Sequence, residues 1–154
     1  AVKEIQEIHG KHIEPRIIKW KSGHYKTQLF KNVVCTGLAS AFIEPLEATS
    51  ISTSIIQAKM ICSVIPTITP ESKAMIMQYH KRFEALMDNA LCMIALHYIS
   101  DRDDSEMWIA QKSARIPDSL QELLDLWQER TPHDFDIPKF NNLSISSITL
   151  LQFL

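Results

Sequence analysis

The feature that most limits how this chain can fold is one long apolar stripe. Ile76, Tyr79, Phe83, Leu86, Ala90, Ile94 and Tyr98 recur at steps of three and four. That spacing gathers side chains on one face of an α-helix, whereas the two-residue period of a strand would scatter them over both faces. It predicts a helix reaching to about Tyr98, with Thr69 as N-cap, Pro70 at the first helical position and Glu71 at the positive end of the dipole. A leucine-zipper reading finds no support, because three heptads without flanking charge pairs do not specify a partner helix. An earlier helix is expected from about Thr49 to Val64, stopping before Pro66 because a residue that precedes proline avoids the α region. A short turn should hold Ser105–Ala110. A last helix should run from near Pro117 to near Glu129, where Ser119 and Glu122 have capping-box spacing. Beyond Arg130 come a turn signal at Asn141-Asn142 and a serine-rich apolar tail.

The first quarter reads differently. Residues 15–21 and 24–30 are rich in β-forming side chains and flank Ser22-Gly23, a turn signal, so a hairpin is expected there. A third apolar run, residues 33–36, is β-branched, ends at Gly37 and suits a buried strand. The fold class that results is α+β and mostly α: a small N-terminal β-sheet segment followed by a helical region.

Composition narrows the function. The 154 residues make about one domain, and a net charge of −2 gives no reason to expect nucleic acid or an anionic membrane as partner. Residues 3–31 carry seven Lys/Arg against three Asp/Glu, and residues 101–136 ten acids against four bases. Two solvated faces are the plain account of that contrast. The longest apolar stretches are interrupted by Lys59, His80 or Lys81 and fall short of the roughly 20 residues a membrane span needs. The opening AVKEIQEIHG has no secretory apolar core. Cys35, Cys62 and Cys92 lie far apart without C-x-x-C spacing, so three buried, reduced thiols in a cytoplasmic protein are expected, and no metal site.

Residues 33–51, VVCTGLASAFIEPLEATSI, hold the chemistry. A helix beginning at Thr49-Ser50 directs its leading amides at whatever precedes it, and the helix dipole makes that point attractive to an anion. Glu44 and Glu47 lie three apart in an otherwise apolar stretch, where a carboxylate needs a partner or a task. Glu44 as a surface residue and Glu47 as a dipole partner of the helix remain open on these grounds.

Residues 37–51, GLASAFIEPLEATSI, resemble the G-L-A-x-G-F-x-E-P-L-E-S/A-T-S/G-I signature of flavin-dependent tryptophan halogenases. Three further blocks agree in order and spacing. Trp20-Lys21-Ser22-Gly23 with Asn32 resembles the strands before the signature. Leu96-His97-Tyr98 with Arg102-Asp103-Asp104-Ser105-Glu106-Met107-Trp108 resembles L-H-Y…R-x-D-S-x-F-W. Ile116-Pro117-Asp118-Ser119-Leu120 with Leu126-Trp127 resembles I-P-D-S-L…L-W. The match covers about residues 15–140.

The resemblance implies part of a flavin-monooxygenase-like FAD fold with an added helical region. It also implies reduced FAD from a separate flavin reductase, a halide ion as co-substrate, and an aromatic small molecule such as tryptophan or indole as substrate. In such enzymes the oxidised halogen passes to a lysine near the substrate. Gly37, Leu38, Ala39 and Ile51 match cofactor-binding positions, and the backbone of Thr49 and Ser50 matches the halide site. Glu47 matches the catalytic glutamate beside the substrate ring, and Met107 and Trp108 match substrate-packing positions. His97 and Tyr98 read as core or pocket lining, and Trp108 could equally close a short helix as a core residue. Departures are Ala41 for glycine, Ala48 for serine and Met107 for phenylalanine, the last weakening an aromatic clamp on free tryptophan.

No G-x-G-x-x-G, no W-x-W-x-I-P and no lysine in the catalytic context occur here. The tail 143–154 does not match the family's usual ending. The expectation is therefore that residues 1–154 are the C-terminal part of a halogenase, with the strands and the FAD and halide signature over 15–51 and a substrate-side helical region over 52–154. The segment should be inactive alone, and its exposed sheet edges favour self-association, as in a homodimer. A non-catalytic helical interaction module and a related flavin monooxygenase are the alternatives.

Overall fold

In the computed structural model the apolar stripe is the inner face of a single 25-residue helix, Lys73–His97. The structure describes residues 2–12, 14–69, 71–133 and 136; of Glu47 it describes the backbone. In chain order the elements are α1 (Val2–His9), β1 (Gly23–His24), β2 (Leu29–Phe30), β3 (Val33–Val34), a 3-10 turn (Gly37–Ala39) and β4 (Ala41–Phe42). A second 3-10 turn (Leu46–Ala48), α2 (Thr49–Val64), α3 (Lys73–His97), α4 (Glu106–Lys112) and α5 (Asp118–Glu129) follow.

Tyr79, Phe83, Leu86, Ala90 and Ile94 are buried along α3 as their spacing requires, and Met87 and Leu96 join them. Ile76 and Tyr98, at the two ends, are half-buried. The stripe feeds two cores. Phe83, Leu86 and Met87 pack with Ala41, Ile43, Ile56 and Met60 from β4, the loop after it and α2. About two and a half turns further on, Leu96 packs with Leu120 and Trp127 of α5, with Cys92, Leu123 and Leu124 around them. α3 is thus the common wall between the ribbon-and-α2 side and the α5 side.

The helix bounds agree with the sequence where a proline or a periodic run fixes them. α2 spans Thr49–Val64 and ends as Ile65 and Ile68 donate back to Ile61 and Val64 around Pro66. α4 begins at Glu106, capped by Ser105, whose Oγ accepts the Trp108 N–H, but it runs on to Lys112, past the expected Ala110. Two caps are corrected. α3 starts after Ser72 rather than Thr69, because Thr69 N–H donates to Ser72 Oγ (3.0 Å) and Ser72 N–H to Thr69 O (3.0 Å), a turn closed on itself. Pro70 lies outside the described residues, as do Asn141-Asn142 and the tail 143–154. α5 is flanked by Pro117, whose carbonyl accepts from Leu120 and Gln121, and Ser119 lies inside the first turn with its Oγ 3.2 Å from Cys92 Sγ. No capping box forms there.

The sheet expectation needs more revision. The antiparallel hairpin is β2–β3, turning at Lys31-Asn32 with Lys31 at φ 54°, and not residues 15–30. β1 pairs instead with β4 across the intervening hairpin, Gly23 opposite Phe42 and His24 opposite Ala41. Gly23 is therefore a ladder residue and not a turn. Residues 14–22 form no regular element, and Ile17, Ile18 and Trp20 stay exposed, since a strand without a ladder partner leaves its backbone unpaired. Val33 is exposed rather than buried. α1 was not anticipated, although Val2, Ile5 and Ile8 mark its one apolar face; that face is exposed. Cys62 is exposed and Cys35 and Cys92 half-buried, which corrects the burial expected of them; all three are free thiols.

Polar contacts fasten the ribbons to the helices. The Gln57 amide of α2, 2% exposed, donates to Cys35 O (3.0 Å) and Ser40 Oγ (2.8 Å), the two ends of the Gly37–Ala39 turn. Leu29 N–H donates to His80 Nε2 of α3 (3.3 Å), and the His24 ring meets the Phe83 ring edge-on. At the far end, Asp136 accepts from Trp127 Nε1 (2.9 Å), His133 N (2.8 Å) and Arg130.

Gln57→Ala should lower stability by about 1–3 kcal/mol, since it leaves buried acceptors unpaired, as read from urea unfolding. The Arg130 guanidinium, with the Trp127 and His133 N–H groups, holds the Asp136 carboxyl well below the usual carboxylate range. A depressed folded value means that this contribution is fully present above the unfolded pKa of about 3.9 and is lost as pH falls below it. The thermal midpoint should therefore drop with acid from about pH 4 downward, and Asp136→Asn should flatten that slope.

Candidate functional site

Two backbone bends, built by opposite means, shape the site. After β3, Gly37 sits at φ +58° and Ser40 N–H donates to Gly37 O (2.9 Å), closing the first 3-10 turn. A Cβ at Gly37 would meet only Ser54 Oγ at 3.7 Å, so glycine is required there by backbone conformation and not by space. The second bend uses a residue with a side chain. Ala48 adopts φ 52°, ψ 27° between the Leu46–Ala48 turn and α2. Three hydrogen bonds hold it: Ala48 N–H to Pro45 O (3.3 Å), Thr49 N–H to Leu46 O, and Thr49 Oγ1 to the same Leu46 O (2.6 Å).

That bend makes Thr49 the first residue of a 16-residue helix, as expected. It also changes the anion argument. The Thr49 amide is already used by Leu46, so the helix-start amides that follow it, beginning with Ser50, carry the positive end of α2. The Thr49 side chain is buried (2% exposed) and faces its own turn. Thr53 Oγ1 and Ser54 Oγ donate to carbonyls of this first turn, to Thr49 O (2.9 Å) and Ser50 O (2.6 Å).

Around these bends the structure leaves apolar surface open. Leu38 is 72% and Ile51 65% exposed, on the Gly37–Ala39 turn and α2, two elements packed against each other. Ala39 is exposed too. The Glu47 backbone lies in the middle of the second turn, one residue before the bend; its side chain lies outside the described residues.

A second group of residues converges from α3 and α4. Tyr98 OH donates to Glu44 Oε1 (2.7 Å), across 54 positions of sequence. Glu44, left open as a surface residue by the sequence, is half-buried and has this partner. The bond to Glu44, with burial second, pushes the Tyr98 hydroxyl above the ordinary tyrosine value. The Tyr98 ring lies 6.1 Å from the Trp108 ring at 51°. The Arg102 guanidinium sits 4.6 Å over Trp108 and is held by Asp104 through two bonds of 3.0 and 2.6 Å. Trp108 is half-buried and Met107 49% exposed. His97 Nδ1 is bonded to the Met93 carbonyl (2.7 Å), which turns that ring toward its own helix.

The structure thus sets the signature residues 37–51 around two bends and places Trp108 in an aromatic and ionic cluster tied to Glu44. Sequence reasoning missed that tie and the Arg102 contact. Their only trace was the conjunction of Arg102, Asp104 and Trp108 in one block. Among the described residues no group of three or more His, Cys, Asp or Glu side chains comes together as a metal site, and no helix is long and apolar enough to cross a membrane.

The two bends make opposite predictions. Ala48→Gly should stabilise the chain by up to about 1 kcal/mol, because it relieves a left-handed alanine. Gly37→Ala should destabilise it by about 1–2 kcal/mol. Thermal unfolding of both variants reads the difference.

Comparison with known proteins places this geometry. A family model described as tryptophan halogenase matches residues 1–151. Tryptophan 7-halogenase RebH of Lentzea aerocolonigenes is 28% identical over 136 residues, which span 83% of this chain and 25% of that protein. The crystal structure of a tryptophan halogenase from Shewanella frigidimarina superposes with a TM-score of 0.83 at 26% identity, covering 99% of this chain and 30% of that one. BrvH, a flavin-dependent halogenase from Brevundimonas, superposes at 0.68 and 25% identity, covering 80% of this chain and 27% of that one. The chain spans about a quarter of the length of the curated relatives it matches. The mostly helical α+β fold is the fold of that part of these halogenases.

Proposed function

Since the chain belongs to the tryptophan halogenase family, we propose that it supplies the halide and substrate side of a flavin-dependent halogenase acting on an electron-rich aromatic ring. The observation that carries this reading is the pair of bends at Gly37 and Ala48, which present the start of α2 beside open apolar surface in a segment that bears the family signature. In this reading residues 15–51 form the flavin and halide face, and residues 52–154 the substrate side.

Gly37, Leu38, Ala39 and Ile51 would hold the ring system of FAD. The glycine backbone and the exposed Leu38 and Ile51 side chains fit a flat, largely apolar group. When bound in its reduced form, delivered by a separate flavin reductase, FAD supplies with O₂ the oxidising power that makes halide electrophilic. Of the Thr49 and Ser50 backbone pair expected at the halide, Ser50 would hold it and Thr49 would not. With the Thr49 amide bonded to Leu46, the donors are those from Ser50 onward, backed by the helix dipole. Chloride or bromide suits such a site because it accepts N–H bonds without geometric demands.

Glu47 would stand at the aromatic guest. A carboxylate there orients the electrophile, stabilises the cationic ring that forms when the halogen adds, and accepts the proton that leaves the same carbon. Trp108 and Met107 would pack against the guest. The thioether in place of a second aromatic residue, exposed on α4, grips a free amino acid less firmly and favours another indole or a phenol-like ring. The three free cysteines are consistent with a cytoplasmic setting.

The chain carries no Gly-rich pyrophosphate cradle, so it should bind FAD weakly on its own. Flavin fluorescence quenched with micromolar affinity by the 154-residue chain would contradict this. Residues 1–154 joined to the flavin-binding portion of a relative should, with reduced FAD, O₂ and bromide, yield a brominated indole by mass spectrometry. Glu47→Gln should lower the rate at least about a hundredfold while leaving indole binding near the parent's. A hydroxylated product without halogen would point instead to a monooxygenase.

A further inference from the structure

We propose that Glu44 and Tyr98 act as a positioning pair that fixes the Trp108 ring, so that the signature segment and the aromatic face of α4 are set against each other by a single hydrogen bond. The inference deepens the proposed function and rests on Trp108 as the residue that packs against the guest.

Both partners are held by backbone. Tyr98 stands at the end of α3, where its N–H donates to the Ala95 and Leu96 carbonyls of the last turn. Glu44 follows β4 and precedes Pro45, whose ring locks φ at −72°. The 2.7 Å bond between them therefore joins two rigid supports and leaves the phenol ring little freedom. That ring lies 6.1 Å from Trp108, at the tilt and distance at which aromatic pairs attract. On α4, Ser105 caps the Trp108 amide, and Arg102, braced by Asp104, covers the indole at 4.6 Å. Of these contacts only the Tyr98 one leads back to the signature segment, three residues before Glu47. The carboxylate that accepts this bond also holds the Tyr98 hydroxyl above the ordinary tyrosine range. Glu44 touches no guest in this scheme; it acts through Tyr98.

The 154-residue chain labelled with 5-fluorotryptophan carries three reporters, Trp20, Trp108 and Trp127. Trp108→Phe assigns the Trp108 fluorine resonance. Glu44→Ala and Tyr98→Phe should each shift and broaden that resonance, leaving the Trp127 resonance in the distal core in place. Glu44→Gln, which keeps an oxygen acceptor, should restore the parent spectrum. A general loss of stability would move Trp127 as well and would not be rescued by the amide. Titration with indole should move the Trp108 resonance of the parent, with an apparent Kd raised roughly two- to tenfold in Glu44→Ala and Tyr98→Phe. A Trp108 resonance identical in the parent, Glu44→Ala and Tyr98→Phe overturns the pair. Should Glu44→Ala fail to fold, Tyr98→Phe, which removes a single hydroxyl, decides alone. Indole that leaves the parent's Trp108 unmoved overturns the guest reading instead, and the ligand-free spectra still decide the pair.

Discussion

A buried amide holds the site together. Gln57, on the inner side of α2, donates to Cys35 O and to Ser40 Oγ, and so grips both ends of the Gly37–Ala39 turn. A primary amide buried to 2% exposure would be costly without partners, and here it has them. The consequence is positional. The turn with Leu38 is seated on the helix with Ile51, and the two apolar side chains stay exposed because the polar work is done beneath them. Without that grip a three-residue turn between two-residue strands has too few contacts of its own to hold a fixed place.

The strain at Ala48 belongs to the same design. A left-handed alanine costs about 1 kcal/mol or more relative to an ordinary backbone. Its neighbours over-determine it through Pro45 O, Leu46 O and the Thr49 hydroxyl. Strain kept in place by surrounding bonds is a feature of functional segments. Here it sets the direction in which the amides of α2 point, immediately after the glutamate the proposed chemistry needs. Gly37 achieves the first bend without such strain, so the two turns differ in stability and not in purpose.

The α3 wall explains how a site made of distant residues can be held. One end of the helix meets β4 and α2, the other meets α5, and Tyr98 is placed just past its last turn. From that position a phenol can reach Glu44 on one side and lie against Trp108 on the other. Neither residue could find the other by local chain geometry. The rigidity of a 25-residue helix converts sequence separation into a defined distance.

What the sequence determined by itself was whatever local rules control. The three- and four-residue stripe required α3, the proline at 66 ended α2, and residues 37–51 with three further blocks carry the resemblance to the tryptophan halogenases. The start of α3 escaped because Thr69 and Ser72 satisfy each other in a turn, which propensity does not distinguish from a cap. The sequence points to a hairpin over residues 15–30 because β-forming composition says that a segment can be a strand and not which neighbour completes its ladder. Only the tertiary fold paired β1 with β4, left residues 14–22 without an element, used the Thr49 amide inside its own turn, and joined Glu44 to Tyr98. The β1–β4 pairing and the Glu44–Tyr98 bond join groups whose proximity depends on how whole elements pack, and packing is a property of the assembled chain that no short stretch encodes.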